Sequence, residues 1–170
     1  MAGRVTRVLG IDTSLRSTGV GVVIAENNNL SAVEYGAIKT PASRRHSECL
    51  KNISNGVEAI IERTKPDAVS IEGAFYCKNV KTSMVLGEAR GAAIAVCAKK
   101  GLPVYEYAPR KVKKAVVGLG GAEKVQVRRM IVSMLGLDEE PQEDAGDALA
   151  IAVCHLHNMS GIAALAPEEI

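Results

Sequence analysis

The sequence predicts an α/β domain on a five-stranded mixed sheet: a three-strand antiparallel meander plus two parallel strands, with helices on both faces. Three observations carry this. The chain has 170 residues, about one domain's worth. Three apolar, strand-like runs come first, and helical patterns then alternate with two short buried runs. Consecutive strands followed by helix–strand units imply a mixed sheet covered on both sides.

The elements follow in order. Residues 6–12 are apolar and end on Asp12, so they read as a strand. Residues 19–25 form a second, and Asn27-Asn28-Asn29 is a turn signal. Residues 30–40 form a third, which Pro41 ends. Leu50, Ile53, Val57, Ile60 and Ile61 fall at helical spacing within residues 44–64. Pro66-Asp67 is a turn, and residues 68–72 are a short buried strand. Residues 75–82 read as a polar, basic loop. Residues 83–100 read as a helix with Met84, Gly87, Gly91, Ile94, Ala95 and Ala98 on one stripe, and Gly101 stops it. Residues 103–108 are the fifth strand, and Pro109 suits the first turn of a helix ending near Gly118. Helices follow over 122–135 and 143–158. Residues 1–158 thus make one domain and 159–170 a flexible tail.

Composition narrows the function classes. The chain is 47% hydrophobic and 24% charged, which argues against intrinsic disorder. No apolar run approaches the ~20 residues of a membrane span, and the N-terminus lacks a signal-peptide pattern. The four cysteines, Cys49, Cys77, Cys97 and Cys154, show no CxxC spacing, which argues against zinc or redox sites and fits a reducing cytoplasm. All 21 Lys and Arg precede Met130, so residues 1–137 carry 21 − 11 = +10 and the rest carry −8. A basic body suits a polyanion such as nucleic acid, although a merely solvated basic face fits charge alone equally well.

The chemistry-bearing candidates are carboxylates. Asp12 and Glu72 each end a buried strand-like run. Asp144 and Asp147 lie three apart at the start of the most apolar helix and so share a face. Four such groups converging on one point would need cations between them, and Mg²⁺ or Mn²⁺ suits an all-oxygen set. Two ions ~4 Å apart would stabilise both oxygens of a phosphoryl transfer. The bland alternatives stand beside this: first-turn acids serving a helix dipole, and strand-end acids capped by amides.

Several blocks resemble one family. Leu9-Gly10-Ile11-Asp12 with Arg16-Ser17-Thr18-Gly19, and Ile71-Glu72-Gly73-Ala74-Phe75 with Lys78-Asn79, resemble the RuvC family of Holliday junction resolvases. So do Leu86-Gly87-Glu88-Ala89-Arg90-Gly91, the basic stretch from Tyr107 to Lys113, and Val117 to Lys124. The run from Asp144 to Ala152 resembles the family's last catalytic helix. These blocks keep their order from Val8 to His157.

The resemblance implies a ribonuclease H-like fold and a homodimer that nicks two opposed strands of a four-way DNA junction. It implies a Mg²⁺-dependent acidic tetrad at Asp12, Glu72, Asp144 and Asp147, with two ions per site and Mn²⁺ as a substitute. It also implies catalytic lysines at Lys113 and Lys124 and a base-stacking aromatic at Phe75. We add Tyr76, Lys78, Lys81, Arg110, Lys111 and Lys114 as DNA contacts, and the RuvA–RuvB branch-migration complex as a partner. The chain departs from the family at Thr13-Ser14 and Gly73-Ala74, where Pro-Gly and Gln-Val are usual, so a different local loop shape is expected there. Gly87 and Gly91 suit either a dimer contact or close packing on the helix's own sheet. His155 and His157 sit at a helix C-terminus, where cations are favoured, and read as structural. Two rivals remain: an ATP-binding fold of the actin and Hsp70 superfamily, which opens with a similar Gly-Ile-Asp-Thr turn, and a non-catalytic junction-binding module.

Overall fold

The computed structural model describes residues 5–27, 29–73, 79–159 and 169–170. Five strands and five helices run in the order β1 (Thr6–Asp12), β2 (Ser17–Glu26), β3 (Asn29–Lys39), α1 (His46–Thr64), β4 (Ala68–Glu72), α2 (Val80–Lys99), β5 (Val104–Tyr107), α3 (Pro109–Val117), α4 (Lys124–Leu135) and α5 (Glu143–Met159). The sheet order is β3-β2-β1-β4-β5. β1, β2 and β3 pair antiparallel, and β4 and β5 join them in parallel, as the element order predicts.

Alternation along β1 splits the core between the two faces. Leu9 and Ile11 pack with Ile53, Val57 and Ile60 of α1 and with Ala89, Ala93 and Cys97 of α2. Val8 packs on the other face with Leu149 and Val153 of α5, Val112 of α3 and Ile131 of α4. α5 lies directly on β1 and β2, because glycines remove the side chains between them. A Cβ at Gly10 would stand 2.0 Å from the Ala148 carbonyl oxygen, and one at Gly19 would stand 1.9 Å from that of Asp144. This contact sets where the acidic start of α5 lies.

Several expectations are corrected. α2 begins at Val80 rather than residue 83, because the Asn79 side chain accepts a hydrogen bond from the Thr82 amide and starts the helix early. α1 begins at His46, and α4 begins at Lys124 after Glu123 opens its first turn. The stripe of Met84, Gly87, Gly91, Ala95 and Ala98 faces solvent, and Ala89, Ala93 and Cys97 face the sheet. Packing of Gly87 and Gly91 on their own sheet is therefore excluded; a Cβ at either meets nothing within 4 Å.

His155 is not a cation. It is 1% exposed, and burial holds its pKa down at about 4. Its Nδ1 meets the Tyr107 hydroxyl at 2.7 Å, and its ring stacks on Tyr105. Cys49, Cys97 and Cys154 are buried free thiols. Within the C-terminal stretch, Glu169 bridges Tyr105 and the Ile170 amide donates to the Val104 carbonyl. Among the described residues no helix is long and apolar enough to cross a membrane.

Candidate active site

Two parallel strands bring the first two carboxylates together. Ile11 of β1 pairs with Ile71 of β4, so Asp12 and Glu72, one residue further on, end side by side. Adjacent strands lie about 4.8 Å apart. Asp144 and Asp147 arrive from above on the first turns of α5. A cavity of about 290 Å³ opens here, lined by Asp12, Glu72, Asp147, Lys113 and Lys124. Val112, Val127 and Ile151 form its apolar wall.

The electrostatics reflect crowding of like charge. Burial, then the charges of Glu72, Asp147 and Asp144, push the Asp12 carboxyl from its ordinary 3.8 up to about 7, against the pull of Lys124. Glu72 is also raised, by burial and by Asp147, while Lys124 and Lys113 hold it back. Four oxygen-donor carboxylates that repel one another make a donor set for a hard divalent cation. Among the described residues no three acids already stand in metal-ligand geometry, although the charges of Glu72, Asp147 and Asp144 all reach Asp12. Asp144 accepts a short hydrogen bond from the Ser17 hydroxyl. Asp147 accepts from Lys124 Nζ at 2.9 Å.

Lys124 bridges two acids, because Glu143 Oε1 also lies 2.9 Å from its Nζ. These bonds raise the Lys124 ammonium further above its usual range and lower Glu143. Lys113, four residues past the Pro109 start of α3, lines the cavity opposite. Arg110, Lys111 and Lys114 are exposed on α3, with the Lys111 ammonium 5.3 Å from the centre of the Tyr107 ring. Lys81 is exposed in the first turn of α2. Phe75, Tyr76 and Lys78 lie outside the described residues.

Sequence reasoning missed three supports of the site. Ser17 holds Asp144 from 127 positions away in the chain, which no local pattern reveals. Glu143 tethers Lys124, and its place immediately before Asp144 was the available signal. Arg90 of α2 donates to the Glu72 carbonyl at 3.4 Å and ion-pairs with Glu106 of β5. With the Gly73 amide donating to the Tyr107 carbonyl at 2.8 Å, this fastens the end of β4 where Glu72 stands.

Comparison with known proteins agrees with this geometry. The family model described as crossover junction endodeoxyribonuclease RuvC matches residues 8–155. The protein of that name from Citrifermentans bemidjiense is 47% identical over 158 residues, covering 93% of this chain and 96% of that relative. The one from Chloroflexus aurantiacus is 46% identical over 152 residues, covering 89% and 93%. Thermus thermophilus RuvC in complex with Holliday junction substrate superposes with a TM-score of 0.90 at 30% identity, covering 97% of this chain and 99% of that one. The yeast mitochondrial resolvase Ydc2, with a TM-score of 0.64 at 14% identity, shares the fold. The fold is thus ribonuclease H-like, and the ATP-binding alternative falls away. With its acids at one sheet edge and nearly its full length matched, the chain belongs to the RuvC family of crossover junction endodeoxyribonucleases.

Proposed function

We propose that this protein resolves four-way DNA junctions by paired, symmetric nicks in two opposed strands, leaving 5′-phosphate and 3′-hydroxyl ends. The observation that supports it is a cavity lined by Asp12, Glu72 and Asp147 together with Lys113 and Lys124, with the charge of Asp144 also reaching Asp12. The family consists of metal-dependent nucleases, and the all-oxygen donor chemistry of the four carboxylates suits two Mg²⁺ ions, with Mn²⁺ as a substitute. Bound there, such ions supply Lewis-acid stabilisation of the charge that develops on the phosphate and its leaving oxygen.

The chain's own residues do the rest. Burial and the neighbouring acids favour a proton on Asp12 near neutrality, which a cation held by Asp12, Glu72, Asp144 and Asp147 would replace. Lys124, held beside the cavity by Glu143 and Asp147, would offer its charge to the phosphate. Lys113 neutralises the backbone from the opposite wall. Ser17 keeps Asp144 oriented, and Arg90 keeps Glu72 in place. Phe75 stacks on a base where the junction unpairs, a contact worth about 1–3 kcal/mol. Tyr76, Lys78, Lys81, Arg110, Lys111 and Lys114 track the backbone around it.

Paired nicks call for two sites, hence a homodimer. The exposed stripe of α2 supports this reading: Val80 is 73% and Met84 62% exposed beside bare Gly87 and Gly91. Such a face suits a second copy of itself. The RuvA–RuvB complex is the further partner that family membership suggests. A cytoplasmic place fits the buried free thiols and a DNA substrate.

The test uses purified protein with Mg²⁺ on an end-labelled four-way junction with a mobile core, beside linear duplex of the same sequence. Symmetric nicks in the junction alone, lost in Asp144→Asn, are expected. Binding without cutting in both Mg²⁺ and Mn²⁺ would leave a binding module instead.

A further inference from the structure

The rim of the sheet that carries Asp12 continues past β2 to the end of β3. Ser17 pairs with Lys39 there, so Lys39 and Thr40 lie on the catalytic edge. They stand two strands from β1, about 10 Å at the usual strand spacing. Beyond them the chain turns through Pro41 into α1. Between this turn and the first two turns of α1 lies a groove of about 350 Å³, lined by Lys39, Thr40, Arg44, Lys51 and Asn52, with Glu48 as its one acid.

The groove is held by a hydrogen-bonded frame. Arg16 Nη1 donates to the Pro41 and Arg44 carbonyls at 2.7 and 3.1 Å. The Thr40 amide donates to the Arg16 carbonyl at 2.9 Å. Asn52 Nδ2 donates to Thr40 Oγ1 at 2.8 Å and to the Lys39 carbonyl at 3.1 Å. Glu48 is partly used already: it ion-pairs with Arg44 at 3.2 Å and accepts from the Arg45 amide at 2.9 Å. Among the described residues, Lys39, Arg45 and Lys51 take part in no ion pair. Lys39, Arg44 and Lys51 against Glu48 leave the lining a net charge of 3 − 1 = +2, and Arg16 adds a further cation through its bonds to the Pro41 and Arg44 carbonyls.

The groove is also tied to the active site. Lys39 Nζ donates to Gln142 Oε1 at 3.0 Å, two residues before Asp144. The rim therefore reads cations, then four carboxylates, then the cations of α3 and α4. Duplex DNA carries one charge per roughly 1.7 Å of axis, so about six phosphate charges span the 10 Å from β1 to this groove.

We propose that this groove is a second phosphate-binding surface, which holds the backbone of the junction arm leaving the cut on the side opposite α3 and α4. The inference rests on the junction-cutting reading above and adds a contact that the resemblance does not supply. Its contacts go to phosphates, so it contributes affinity and register rather than sequence choice.

The test measures junction binding in EDTA over a salt series, for the wild type and for Arg44→Ala/Lys51→Ala. Loss of two phosphate contacts should lower the slope of log K against log salt by about 2 and weaken binding about tenfold at moderate salt. Arg44→Lys/Lys51→Arg should restore the slope. A methylphosphonate scan with the wild-type protein needs no variant, and should find sensitive phosphates on that arm, away from the scissile position. An unchanged slope in the alanine variant, or sensitivity confined to phosphates beside the cut, overturns the proposal. Wild-type nicking is measured on the same preparation. If the wild type does not cut the junction, the functional reading fails; if it cuts while the slope is unchanged, only the groove proposal fails.

Discussion

Replacing Asp12 with Asn should make the metal-free protein more stable, and more so as pH rises. The Asp12 carboxyl is raised from 3.8 to about 7 by burial and by its three acidic neighbours. Between these values the unfolded chain has released this proton and the folded chain retains it. Stability therefore falls as pH rises through this window and stays lowered above about 7. At about 1.4 kcal/mol per pH unit, the full cost is about 4 kcal/mol, a large part of a typical domain's stability. Asn removes that cost and retains the shape. Urea denaturation in EDTA should give little difference between the proteins near about pH 4, and a gain of about 2–4 kcal/mol for Asp12→Asn near about pH 8.5. Millimolar Mg²⁺ should then close the gap, because cations stabilise only the intact acidic set. A variant less stable than wild type at high pH, or a gain independent of pH, would refute the account of Asp12 as a charge held in place at a cost.

Other outcomes follow from the same geometry. His155 has the opposite slope to Asp12: its folded pKa of about 4 lies below its ordinary 6.5, so stability falls as pH drops through that window. The cost reaches about 3 kcal/mol, and a denaturation series on His155→Leu should lack it. Gly19→Ala should lower the melting temperature and the nicking rate together, because its Cβ would meet the Asp144 carbonyl and push α5 off the sheet. Overpacking of this kind costs about 1–3 kcal/mol or more. Arg90→Ala should reduce nicking at saturating junction by up to about a hundredfold while binding in EDTA stays near wild type, because it releases the backbone at Glu72 without touching DNA-facing cations.

Strand identity and order were legible in the chain itself. β1 and β4 are short apolar runs and β5 a short β-prone run, and their length and flanking breaks separate them from the helices. The four acids were legible for a related reason: Asp12 and Glu72 end apolar runs and Asp144 and Asp147 open one, where a charge needs a purpose. The start of α2 was misjudged because one Asn79 cap outweighs a polar, basic composition that looks like loop. The outward turn of Gly87 and Gly91 was open, since small residues fit a buried and an exposed stripe equally well.

The amino-acid sequence by itself determined which residues carry charge, which runs bury, and hence the α/β class and the list of acids. Tertiary structure alone decided their arrangement. Parallel pairing of β1 with β4 sets Asp12 beside Glu72, although 60 positions separate them. Bare glycine on β1 and β2 lets α5 descend until Asp144 meets Ser17, and α4 reaches across to put Lys124 between Glu143 and Asp147. Periodicity and propensity act over a few residues, whereas these contacts depend on backbone separations that exist only once the sheet has formed.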